Sequence, residues 1–179
     1  LVTEYFDGRP LDDSAIAEMP QDNAITVLGS VAELAGALQG AKTHGCFANG
    51  EALRTDGRAV RLVDASSCAL RLPSGAESDA ARLLRLVEAA ADAQEDPLAF
   101  LHDLLDALYG LATAPPEEVT IAARQMVVER INALPEAEMK VELEHAKARK
   151  ALRAAFERPE RVDSRDAVAD AVPKRQAPL

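Results

Sequence analysis

Between residues 78 and 111 apolar side chains return every three or four positions. Leu83, Leu84, Leu86, Val87 and Ala90 form one run, and Leu98, Leu101, Leu104, Leu105 and Leu108 a second. Such spacing lines one face of an α-helix. Asp96-Pro97 separates the runs, an N-cap acceptor followed by the residue whose fixed φ suits the first helical position. The stretch predicts two amphipathic helices joined by a tight corner, carrying the densest apolar surface of the chain.

A third helix is expected after Pro115-Pro116-Glu117-Glu118, because early prolines and acids suit a helix N-terminus. Its buried face is expected to hold Val119, Ile121, Ala122, Met126, Val127, Ile131 and Leu134. Pro135 prevents one continuous rod. A fourth helix, over residues 136–157, sets Met139, Val141, Leu143, Ala146, Leu152 and Phe156 against a strongly charged opposite face. Four helices with short connections predict an up-down bundle.

The first 75 residues read as a small mixed α/β unit. Asp12-Asp13-Ser14 caps a short helical piece that ends near Met19-Pro20. Residues 23–28 are β-branched enough to predict a strand. Ser30 and Glu33 have the spacing of a capping box that would open a helix reaching about Gln39, with Gly40 as its stop. Asp56-Gly57 predicts a hairpin within residues 51–64, and residues 68–72 read as a third strand. Residues 158–179 hold three prolines, dense charge and no aromatic side chain, which predicts a tail that is disordered or ordered by a partner. The expected architecture is therefore mainly α: a mixed unit at 1–75, a helical bundle at 76–157 and a tail at 158–179.

Composition narrows the chemistry. A length of 179 residues suits one domain, or one domain with a small appendage. The chain is 48% apolar with no Trp, two Tyr and four Phe, so Ala, Leu and Val build a core that favours close helix packing over a large aromatic-lined pocket. Thirty acidic against twenty basic side chains give a net charge of −10, which opposes nucleic acid or an anionic membrane as partner. No apolar run approaches the ~20 residues that span a bilayer. The chain starts at Leu1 and shows no signal-peptide pattern, so a processed or trimmed start is expected, and a leader already removed leaves the compartment open.

Glu142 and His145 form a Glu-x-x-His pair, with Glu138 one turn earlier on the same side. Carboxylate-bridged di-metal bundles use two such pairs and further glutamates, and neither His44 nor His102 has a Glu three residues before it. The trio reads as a solvated charged face, with metal binding as its alternative. His102, Asp103 and Asp106 read as an exposed helical cluster, since no nucleophile lies nearby. Cys46 has His44 two residues away, yet no lowered thiol pKa can be read from spacing. Cys46 and Cys68 allow either one disulfide or two buried reduced thiols. The Walker A, dinucleotide-fold and nucleophile-elbow patterns are missing. Arg149, Lys150, Arg153 and Arg158 form a local cationic patch that lacks aromatic side chains to stack bases. No catalytic residue, metal or cofactor is assigned.

Asp7-Gly8-Arg9-Pro10-Leu11-Asp12 is followed by Gly29-Ser-Val-Ala-Glu-Leu-Ala35, then Cys46-Phe47-Ala48, Gly57-Arg58 and Cys68-Ala69-Leu70. Over residues 7–72 this order resembles the C-terminal module of large secreted planctomycete and myxobacterial proteins of unknown function, often found beside c-type cytochrome domains. That family has an aromatic-rich helix before its Gly-Arg, where this chain has residues 50–56. The resemblance implies an extracytoplasmic setting and a Cys46–Cys68 bond, and supplies no catalytic residue; without it a cytoplasmic location is expected. The function expected from these observations is a non-enzymatic protein-binding or assembly subunit, engaging another protein or a further copy of itself through helical surface and tail. The alternatives are a bundle enzyme or metal-binding protein using Glu138, Glu142 and His145, and an acidic chaperone or effector-type domain.

Overall fold

A computed structural model describes residues 6–49, 51–72 and 74–156. Among the described residues the fold is mainly α, 60% helical, with six helices and a small three-stranded antiparallel sheet near the N-terminus. The chain divides into two compact units, Leu1–Leu134 and Pro135–Leu179.

In the first unit, Asp12 caps α1 (Asp13–Ala17) by accepting the Ala15 N–H at 2.7 Å. After Pro20 the chain enters α2 (Gln21–Gly40), which absorbs the strand expected at 23–28. Ala24, Val27, Leu28, Val31, Ala32 and Ala35 are all buried along α2, a helical stripe whose burial overrides the β propensity of Ile25, Thr26 and Val27. Ser30 is therefore no cap. Its hydroxyl, mid-helix, donates back to the Thr26 carbonyl at 3.0 Å, the usual outlet for a hydroxyl one turn on. Glu33 instead accepts the Ala112 N–H at 3.0 Å.

The sheet joins β1 (Arg9–Pro10), β2 (Leu53–Thr55) and β3 (Val60–Leu62) in that order. The expected hairpin is the β2–β3 pair, with Leu53 opposite Leu62 and Thr55 opposite Val60. Gly57 takes φ +93° at its turn, and Asp56 accepts the N–H groups of Arg58 and Ala59 at 2.9 and 2.8 Å. The third strand is β1, with Arg9 opposite Thr55, and not residues 68–72. There only Ala69 pairs, in an isolated bridge to His44. Turns at Ser66–Ser67 and Ser74–Gly75 bracket that segment and leave it too short to build a ladder.

Ser78 caps α3 (Asp79–Ala93), and Asp96 caps α4 (Pro97–Tyr109) as its sequence predicts. Helix α5 (Glu117–Ala133) buries Val119, Ala123, Val127 and Ile131, a narrow i, i+4 stripe. Ile121, expected inside, is exposed, while Ala122, Met126 and Leu134 are half-buried. The bundle consists of α2, α3, α4 and α5, with α1 lying on α3. Helix α2, not foreseen as a bundle member, enters it with a wholly apolar stripe.

The close approach of α2 to the α4–α5 connection depends on Gly36. A Cβ there would stand 2.0 Å from the Ala114 carbonyl oxygen. Arg82 of α3 is only 8% exposed; it donates to Asp13 at 3.1 Å and to the Leu11 carbonyl at 3.4 Å, tying α1 to the bundle.

The second unit contributes one described element, α6 (Glu136–Phe156). Val141 and Leu143, expected on a buried face, are exposed, as is Leu152; the side chain of Phe156 and the expected tail lie outside the described residues.

Candidate functional site

The most tightly specified polar arrangement surrounds Asp79, the first residue of α3. Its side chain is buried, the residue being 8% exposed, and Oδ1 accepts the Phe47 N–H at 2.7 Å. Burial pushes this carboxyl up from its ordinary value, outweighing the N–H groups of Phe47 and Gly45, the nearby His44 and the N–H of Cys46, which pull it down. Cys46 is bonded to Cys68, 22 residues on, with Cα atoms 4.2 Å apart. No free thiol exists among the described residues, so the His44–Cys46 arrangement holds no nucleophile. His44 is engaged through its backbone, exchanging bonds of 2.8 and 2.9 Å with Ala69.

Beside this corner lies a cleft of about 50 Å³, bordered by Gln39, Thr43, His44, Asp79 and Glu118 among others. That volume admits a water or two and no organic substrate. The arrangement anchors a loop.

The sequence-selected candidates fall elsewhere. His102 is half-buried on α4, and Asp103 accepts Gln21 Nε2 at 3.0 Å, so that aspartate helps join α4 to α2. On α6, His145 Nδ1 stands 3.5 Å from Glu142, while Glu138 is exposed on the preceding turn. Among the described residues no group of three or more His, Cys, Asp or Glu side chains is placed to hold a metal ion. Arg149 and Lys150 are exposed on the same helix.

What the sequence reading missed is apolar surface. Val128 on α5 is 55% exposed, with Ile121 one heptad earlier also outward. On α6, Val141 and Leu152 are 53% and 61% exposed. Periodicity marked Ile121, Val141 and Leu152 as core, and periodicity alone cannot tell a core face from a docking face. No described helix is long and apolar enough to cross a membrane.

Compared with known proteins, the chain matches no family model, no curated protein and no solved structure.

Proposed function

We propose that this protein is a non-enzymatic binding or assembly subunit that engages another polypeptide through exposed helix faces. One observation carries the reading: helically spaced apolar side chains point outward on α5 (Ile121, Val128) and on α6 (Val141, Leu152). Single exposed apolar residues are ordinary, but a periodic stripe is the signature of a face that another surface covers. Covering it recovers roughly 25 cal/mol per Å² of apolar area. The tail at 158–179 belongs to the proposal on sequence grounds, as a segment that would order against a partner.

The setting we propose is extracytoplasmic, in keeping with the resemblance over residues 7–72. The Cys46–Cys68 bond supports it, since disulfides persist mainly in oxidising compartments.

Photo-cross-linking tests the reading. A benzophenone side chain is placed at Val128, Val141 or Leu152, and at Arg58 in the exposed hairpin turn as control. Irradiation in an extract of the producing cells is expected to give adducts to a polypeptide, a second copy included, from the helix positions and not from Arg58. Adducts from none of them, or equally from Arg58, would remove the proposal.

A further inference from the structure

Helix α6 carries a second pattern. Ala137, Val141, Ala148 and Leu152 follow at spacings of four, seven and four, and all four are exposed. That spacing keeps an apolar stripe in line along the helix, as on the seam of a coiled coil. The charges are also sorted along the axis. Residues 136–144 hold Glu136, Glu138, Glu142 and Glu144 against Lys140, a net −3. Residues 145–156 hold Lys147, Arg149, Lys150 and Arg153 and no acid, a net +4 with His145 neutral.

We propose that α6 docks antiparallel on α6 of a second copy of this chain. The inference rests on the assembly reading above and names its partner. A parallel pair would set acidic half on acidic half and basic on basic. The antiparallel pair sets each acidic half on a basic one over the whole contact, and opposes the two helix dipoles. With Val141 of one copy opposite Leu152 of the other, Glu144 stands level with Arg149 and His145 with Ala148. The ion pairs within α6, Lys140–Glu136 at 2.9 Å and Lys147–Glu144 at 2.6 Å, are exposed and free to exchange partners. Exposed pairs are weak and screened by salt, so the apolar stripe supplies affinity and the charges supply direction. Twenty-one residues make a helix of about 31 Å. That length and the two alanines in the stripe predict a weak, reversible dimer.

Sedimentation of the full chain over a concentration series is expected to show monomer–dimer exchange, weakened at least fivefold between 50 and 500 mM salt. The double variant Glu142→Lys with Glu144→Lys makes both halves basic, and Lys147→Glu with Lys150→Glu removes the basic half. Each is expected to lose self-association alone, and the mixture to regain a dimer, with circular dichroism confirming that both keep their helices. Under mild oxidation Val141→Cys mixed with Leu152→Cys is expected to cross-link, and Val141→Cys alone to do so much less. A chain that stays monomeric into the millimolar range overturns the proposal, as does failure of the charge variants to complement. Preferential self-cross-linking of Val141→Cys overturns the antiparallel arrangement. A monomer that still gives photo-adducts with an unlike polypeptide sinks the second-copy partner and leaves the binding reading standing; a monomer without adducts sinks both.

Discussion

The Asp79 carboxylate accepts the Phe47 backbone N–H at 2.7 Å, joining residues 32 positions apart. It fastens the disulfide corner to the first turn of α3, and it does so with a carboxyl that burial pushes above its ordinary pKa. The fold thus holds Asp79 at a cost in desolvation, offset by the backbone donors it satisfies.

This sets a pH dependence. A carboxyl with a raised folded pKa binds more protons in the folded than in the unfolded chain, so its contribution is present at low pH and lost as pH rises through the folded value. Asp79→Asn keeps an acceptor for Phe47 and removes the titration. Urea unfolding of both proteins at pH 3 and pH 7 is expected to show the Asn variant improving relative to the parent at pH 7. Parallel profiles would contradict a buried, ionisable Asp79. Asp79→Ala leaves the Phe47 N–H without its acceptor and is expected to cost about 1–3 kcal/mol at either pH.

Asp56 and Asp64 act in the opposite sense. Backbone N–H groups of Ala59 and Arg58 lower the Asp56 carboxyl, and Ser66 lowers that of Asp64. Their contribution is present above the ordinary carboxylate value and lost as pH falls through the depressed folded values. NMR titration is expected to find both below the ordinary aspartate range, and Asp79 above it.

The Cys46–Cys68 bond closes a loop of sequence separation 22, for which the chain-entropy model gives about 3 kcal/mol of stabilisation. Reduction is expected to lower the denaturation midpoint accordingly, with α2–α5 still helical by circular dichroism. Thiol titration of the unfolded, unreduced chain is expected to find no free thiol.

Gly36 distinguishes helix propensity from packing. An Ala inside a helix ordinarily gains 0.5–1 kcal/mol over Gly. Here the added Cβ would meet the Ala114 carbonyl at 2.0 Å, so Gly36→Ala is expected to destabilise by about 1–3 kcal/mol. Gly40, with nothing near its missing Cβ, is the control. A neutral Gly36→Ala would mean that α2 and the α4–α5 connection do not approach as described.

Burial on α4 and α5 gives a paired test. Leu104 is fully buried and Val128 mostly exposed. Leu104→Ala is expected to cost about 2–5 kcal/mol, and Val128→Ala less than about 0.5 kcal/mol. Equal losses in chemical denaturation would show that Val128 belongs to the core after all.

The sequence by itself determined what is decided within a few residues. Asp96 accepts an N–H three positions on, and Asp56-Gly57 closes its turn through its own side chain, so this helix start and this turn were legible without the fold. The helical periods of α3, α4, α5 and α6 were legible for the same reason. Tertiary structure decided which periods face inward. Residues 23–28 had strand-like side chains, and only packing against α3 and α4 made them part of α2. Ser30 and Glu33 had capping-box spacing, but a helix already running through them turned one hydroxyl back on Thr26 and sent the carboxylate to Ala112. Asp79 looked like any first-turn acid until Phe47, distant in sequence, was brought to it. Ile121 shared its spacing with true core residues, yet burial is settled by competition among α1–α5 for one interior, and the wholly apolar stripe of α2 fills it.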